Sequence, residues 1–161
     1  MKEPSQLLSI LFLISIGNSQ TRVNINNLIK HEGRHFKKNE YISYDGIVFD
    51  MSKETGNITL QFKMVNGLKN GFYKEWYENG KPKTIGGYLK DDSTDSWTIW
   101  YENGQKEFEG NYKDGQKNGA WIQWYENGQK KFEKYYKNNQ LNEKYLYWYK
   151  NGQKELEGNY K

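Results

Sequence analysis

The chain has 161 residues, of which only 35% are apolar while 17% are aromatic, with six Trp, fourteen Tyr and seven Phe. That is too few apolar residues for a thick helical core or a polytopic membrane protein, and too many aromatics for wholesale disorder. Lys and Arg number 24 against 20 Asp and Glu, a net +4 with the signs interspersed, which argues against a dedicated nucleic-acid arm; the absence of Cys excludes disulfides, thiolate metal sites and a Cys nucleophile.

The first predicted element is a signal peptide over residues 1–19. Leu7 to Ile16 form an apolar run that follows Lys2 and Glu3 and precedes Gly17-Asn18-Ser19-Gln20. As a helix this run would cover ~15 Å of the ~30 Å hydrocarbon core, so it suits the apolar region of an export signal better than a membrane span. Gly17 and Ser19 fill the small-residue positions, which predicts cleavage between Ser19 and Gln20 and export to the periplasm, the outer surface or the medium. An exported chain without Cys must be held by packing and hydrogen bonds alone.

Residues 20–46 are expected to form a lead-in hairpin. His31-Glu32-Gly33-Arg34-His35 satisfies the His-Glu-x-x-His pattern of zinc metalloproteases, with Glu54 placed as a conceivable third ligand. That chemistry needs a helix to set both imidazoles on one face. Gly33 weakens a helix, Arg34 would bring a cation to the metal, and no apolar helical period surrounds the motif. The segment Leu28 to Lys38 reads instead as strand, tight turn at Glu32-Gly33, strand. No catalytic residue, metal site or cofactor is predicted.

Residues 47–161 repeat with a period of 24. Trp76-Tyr77-Glu78-Asn79-Gly80 recurs as Trp100-Tyr101-Glu102-Asn103-Gly104, as Trp124-Tyr125-Glu126-Asn127-Gly128 and as Trp148-Tyr149-Lys150-Asn151-Gly152. Three residues before each pentapeptide stands an aromatic: Tyr73, Trp97, Trp121, Tyr145. After it comes an alternating segment such as Phe108-Glu109-Gly110-Asn111-Tyr112. A degenerate first unit lies in Phe49 to Val65, with Gly56 at the turn and Ile58, Leu60, Phe62 and Met64 alternating. Each unit is predicted to be a β-hairpin closed by a two-residue type I′ turn at Asn-Gly. Turn-forming spacers join the hairpins into one antiparallel meander. The fold class is therefore all-β: an elongated antiparallel hairpin-repeat sheet of about five units, ten strands and ~45–50 Å.

The motif Trp-Tyr-Glu-Asn-Gly-Gln-Lys followed by Glu-Gly-Asn-Tyr-Lys-Asp-Gly-Gln-Lys-Asn-Gly resembles the bacterial variant of the MORN (membrane occupation and recognition nexus) repeat, over about residues 44–161. Bacterial proteins built from it are often labelled YwqK-type antitoxins, a role that needs a cytoplasmic protein and so conflicts with export. The resemblance implies a single-layer hairpin sheet and a non-enzymatic scaffold or interaction role. Copies depart from the pattern where Lys134 replaces the Gly of Gly110 and Gly158, and where Asp91-Asp92-Ser93-Thr94-Asp95 replaces the Gly-containing spacer.

Adjacent strand residues face opposite ways, so Trp76, Trp100, Trp124 and Trp148 are expected to line one face and Tyr77, Tyr101, Tyr125 and Tyr149 the other. These eight are the candidate ligand-binding residues. Such rows can pack on one another in place of a missing core, or offer a periodic platform of rings. The platform suits a protein partner, with strand addition at the last strand and an edge-strand homodimer as the other expected modes of contact. A glycan is the alternative ligand, since aromatic hairpin repeats also occur in choline- and glucan-binding cell-wall proteins. Association with anionic membrane ranks low because the charge is dispersed, and nucleic acid ranks lower still. Glu78, Glu102 and Glu126, like Glu109, Glu133 and Glu157, recur every 24 residues and are expected to pair across strands with neighbouring Lys rather than catalyse.

Overall fold

The computed structural model describes residues 21–160; the signal-peptide expectation, residues 1–19, lies outside the described residues. Strand β1 (Arg22–Asn24) leads through a single 3-10 turn (Ile25–Asn27) into β2 (Leu28–His31) and β3 (Arg34–Lys37). Ten further strands then run in order: β4 (Gly46–Met51), β5 (Ile58–Val65), β6 (Leu68–Trp76), β7 (Pro82–Leu89), β8 (Asp92–Trp100), β9 (Lys106–Lys113), β10 (Gln116–Trp124), β11 (Lys130–Lys137), β12 (Gln140–Trp148) and β13 (Lys154–Tyr160). Strands β4 to β13 pair sequentially as an antiparallel meander. Strand β1 adds to β4 in parallel, so the sheet has 11 strands, one more than the periodicity predicts. At ~4.8 Å per strand the sheet is about 48 Å long.

The turn chemistry differs from expectation. In the pentapeptide turns only the glycine is left-handed, with φ of 80° at Gly80, 92° at Gly104, 84° at Gly128 and 84° at Gly152, while the preceding Asn residues are not. The Gly80 N–H donates to the Tyr77 carbonyl at 2.9 Å and the Tyr77 N–H to the Lys81 carbonyl at 2.9 Å, and the other three units repeat this. These are three-residue loops closed by a glycine bulge, not two-residue type I′ turns. The extra residue shifts the strand register at each Trp. Two consecutive positive φ values, the type I′ signature, occur instead in the spacers: Asn66-Gly67, Lys90-Asp91, Asp114-Gly115 and Asn138-Asn139. The departure at residues 91–95 therefore keeps the turn, with Asp91 in place of glycine. Glu32-Gly33 turns the same way and joins β2 to β3 as an antiparallel pair.

Cross-strand register lines up Val48, Phe62, Tyr73 and Gly86 in one run and Trp97, Gly110, Trp121, Lys134, Tyr145 and Gly158 in a second; the register shifts between β7 and β8, and the Trp97 indole over Gly86 joins the two runs into one row. On this aromatic face large rings alternate with glycines because the ring of one unit lies flat over the neighbouring strand. A Cβ on Gly86 would sit 2.3 Å from the Trp97 indole, and one on Gly110 2.9 Å from Trp121. Tyr88, Tyr112 and Tyr136 flank the row, giving edge-on contacts of 5.1 Å (Tyr88–Trp97), 5.1 Å (Tyr112–Trp121) and 5.5 Å (Trp121–Tyr136). Where Lys134 takes the glycine place, it lies over Phe132 and Tyr147 at 4.9 and 5.0 Å.

The single-layer expectation fails at the N-terminal end of the sheet. Val23 and Tyr44 pack on Val48, Phe62 and Met64, the only buried cluster among the described residues, with Ile25, Leu28, Leu60 and Tyr73 around it. The lead-in is thus a local second layer over β4 to β6. It is fixed by Tyr44 Oη donating to the Thr21 carbonyl at 2.9 Å, by the His35 N–H on the Gly67 carbonyl at 2.9 Å and by Arg34 Nη1 on the Asn66 carbonyl at 2.7 Å. Each large side chain buried here contributes ~1.5–3 kcal/mol. From β7 onward no second layer lies over the aromatic face among the described residues.

Candidate functional site

The conserved spacing of the pentapeptide serves first to stitch one unit to the next. Tyr77 Oη donates to the Trp100 carbonyl at 2.6 Å, Tyr101 Oη to the Trp124 carbonyl at 2.8 Å and Tyr125 Oη to the Trp148 carbonyl at 3.0 Å. The Asn residues work alongside. Asn103 Nδ2 reaches the Glu126 carbonyl at 3.0 Å and Asn127 Nδ2 the Lys150 carbonyl at 2.8 Å, while each Asn Oδ1 accepts the N–H two residues on. Burial and the carboxylates of the surrounding Glu107, Glu102 and Glu126 raise the Tyr77 phenol, and Tyr101 is raised by burial in the same way. Three of the four candidate tyrosines therefore spend their hydroxyls inside the array. Tyr149, at 50% exposure, does not.

Trp76, Trp100, Trp124 and Trp148 lie half-buried on the face opposite the aromatic row. They do not stack on one another. Units recur two strands apart, roughly 9–10 Å, and lysines come between the rings. Lys106, in register with Trp100, puts its ammonium 5.9 Å from the Trp124 ring, and Lys130, in register with Trp124, does the same to Trp148 at 5.7 Å. The same lysines bind Glu109 at 2.7 Å and Glu133 at 2.6 Å, and Lys144 and Lys154 both contact Glu157. Burial alone would raise the Glu133 carboxyl, but hydrogen bonds from Lys130 and Tyr135 outweigh it and hold the group low. Glu109, Glu133 and Glu157 thus pair with lysine, mostly within their own strand and not across strands as expected, with Lys144–Glu157 the cross-strand case, whereas Glu78, Glu102 and Glu126 form no ion pair with lysine among the described residues.

The His-Glu-x-x-His residues are not brought to a common point. His31 is exposed beside Glu32 at 3.8 Å, and His35 turns its Nδ1 to the Gly67 carbonyl at 3.1 Å. Glu54 belongs to the turn between β4 and β5, where its N–H meets Ser52 Oγ at 3.2 Å.

The open part of the aromatic face is its C-terminal end. Tyr145, Tyr147, Glu155, Leu156 and Tyr160 line a depression of about 680 Å³, with Leu156 52% and Tyr160 45% exposed. Among the described residues β13 pairs with β12 alone. Leu156 and Tyr160 lie outside the eight candidate residues, and the period-two alternation of Leu156, Gly158 and Tyr160 is the sequence signal that puts them on this face.

A meander of 24-residue hairpins, with rings laid over glycines on one side and lysine-separated indoles on the other, defines a linear β-repeat protein. Repeats of this kind build binding or scaffold modules. The MORN repeat variant matches residues 69–90, 96–114 and 117–138, which take in β6–β7, the second half of β8 with β9, and β10–β11 with their turns, so these segments are MORN-type repeats. No curated protein matches the sequence.

Proposed function

We propose that this chain is a non-enzymatic interaction or structural scaffold module of the cell envelope, which holds a protein partner on the C-terminal end of its aromatic face. The observation that carries this reading is the asymmetry of that face. The lead-in covers it over β4 to β6, whereas around β12 and β13 Leu156 and Tyr160 stay about half exposed beside a strand that, among the described residues, is paired on one side only. A strand edge next to a depression lined by Tyr145, Tyr147, Leu156 and Tyr160 suits a polypeptide, which can add main-chain hydrogen bonds to side-chain contacts. A second copy of the chain could use the same edge. A glycan would need flat ring faces, and Trp124 and Trp148 already have lysine ammoniums over theirs. The envelope address rests on the apolar run Leu7 to Ile16, and an antitoxin role would require that this run not direct export.

The test is capture from an envelope extract on the tagged chain, with and without soluble cell-wall glycans, beside the variants Leu156→Asp and Trp124→Ala. The reading expects a protein that survives glycan competition, is lost with Leu156→Asp and is kept with Trp124→Ala. Displacement by glycan, or equal capture by the Leu156→Asp variant, contradicts it. Cell fractionation of the full chain, with Leu11→Arg as the export-deficient control, checks the address.

A further inference from the structure

Two ring clusters on the aromatic face hold a lysine ammonium supplied by the chain itself. Lys69 Nζ lies 5.5, 5.4 and 4.6 Å from the ring centres of Phe62, Tyr73 and Tyr88. Two units further on, Lys117 Nζ lies 4.2 Å from Trp121 and 5.1 Å from Tyr136. These distances are those of cation–π contacts. The unit between them places Trp97 and Tyr112 at the equivalent positions, with ring centres 6.4 Å apart at 74°, against 5.5 Å and 64° for Trp121 and Tyr136. Register confirms the equivalence: Ser93 stands opposite Tyr88 as Lys117 stands opposite Tyr112.

Ser93 is too short to reach the rings. Among the described residues no lysine or arginine lies over Trp97 or Tyr112, although both rings are only half-buried. The charge around the position is also reversed. Asp91, Asp92 and Asp95 bracket Ser93, all exposed, where the equivalents around Lys117 are Gly115, Gln116 and Gly119. One unit thus carries its own cation, and its neighbour has the same rings with Asp91, Asp92 and Asp95 near them in the chain against the one Lys90; the Asp91 carboxylate accepts the Lys69 N–H at 2.7 Å and the Asp95 carboxylate lies beside Gly87, so their effect on the rings is that of the local field and not of contact.

We infer that Trp97 and Tyr112, beside Ser93 and its flanking aspartates, form a binding site for an alkylammonium group, the chemistry of a lysine side chain, which takes from outside the place Lys117 fills from within. The site does not depend on the envelope partner proposed above. With two ring faces and a favourable local field, a free alkylammonium ion half-saturates it on the order of 10 mM.

The indole N–H of Trp97 has no hydrogen-bond acceptor among the described residues, so its resonance reports the ring's surroundings directly. The experiment titrates the full ¹⁵N-labelled chain with n-butylammonium chloride, against sodium chloride at matched ionic strength, and follows the six indole resonances. Trp97→Phe identifies the relevant peak. The expected result is a saturable shift of Trp97 with n-butylammonium alone, at least several-fold weakened by Ser93→Lys, which fills the site internally, and also weakened by Asp92→Asn. The Ser93→Lys chain should unfold at a higher temperature than the unsubstituted chain. A parallel choline chloride titration distinguishes sources: tighter n-butylammonium supports the lysine side chain, and tighter choline overturns that assignment. A shift matched by sodium chloride, or an n-butylammonium shift undiminished in the Ser93→Lys chain, overturns the inference.

Discussion

The tyrosine ladder predicts a specific pattern of stability loss. Tyr101→Phe removes the hydroxyl that donates to the Trp124 carbonyl at 2.8 Å and leaves the ring in place. The net value of such a bond is about 1 kcal/mol, and in a chain of this size that lowers the unfolding midpoint by about 4 °C. Tyr77→Phe and Tyr125→Phe remove the matching bonds of 2.6 and 3.0 Å to the Trp100 and Trp148 carbonyls. The three sites are roughly 9–10 Å apart and share no partner, so the triple variant should lose about 3 kcal/mol, or about 12 °C. Tyr149→Phe is the internal control, because its hydroxyl meets no following unit among the described residues; it should stay within about 0.5 kcal/mol of the parent. Thermal and urea unfolding followed by tryptophan fluorescence read all four variants. Equal loss in Tyr101→Phe and Tyr149→Phe would refute the claim that these hydroxyls join the repeats.

The remaining predictions concern the glycine row, a strained turn and pH. Gly86→Ala sets a methyl group 2.3 Å from the Trp97 indole and should lose about 1–3 kcal/mol in urea unfolding. Glu143 holds a φ of 62° where two of the equivalent units have Gly71 and Gly119, so Glu143→Gly should gain about 1 kcal/mol in the same assay. Burial raises the Tyr73, Tyr77, Tyr88, Tyr101 and Tyr112 phenols above their ordinary value of 10.0. The folded chain therefore keeps protons that the unfolded chain releases. This stability is fully present below pH ~10 and falls as pH rises above it, so the urea midpoint should drop between pH 9 and 11, and an unchanged midpoint would contradict the assignment.

Much of this architecture is legible because a 24-residue period and a two-residue alternation act together: once Trp76, Trp100, Trp124 and Trp148 are aligned, strands and turns follow. The Glu32-Gly33 hairpin is legible for the same local reason. Turn type is not. Asn-Gly favours a type I′ turn in isolation, but the flanking strands here admit an extra residue and leave Asn outside the left-handed region, while Lys90-Asp91 takes it up under the demands of the spacer. The parallel strand Arg22–Asn24 is too short to show any period, and its place depends on Val23 meeting Val48 and Met64 far along the chain. The candidate site was read from the ring residues themselves. Which of them are used internally depends on hydroxyls reaching carbonyls 23 residues away, a relation that composition and spacing do not encode.

The central claim is that, among the described residues, the lead-in covers the aromatic face over β4 to β6 and nothing covers it at β12 and β13, and backbone hydrogen exchange resolved along the chain tests it most directly. Protection should be greatest in β4 to β6, beneath the lead-in, and should decline toward β12 and β13, beyond the Lys134 interruption of the ring row. Uniform protection, or a maximum at β12 and β13, would contradict the account.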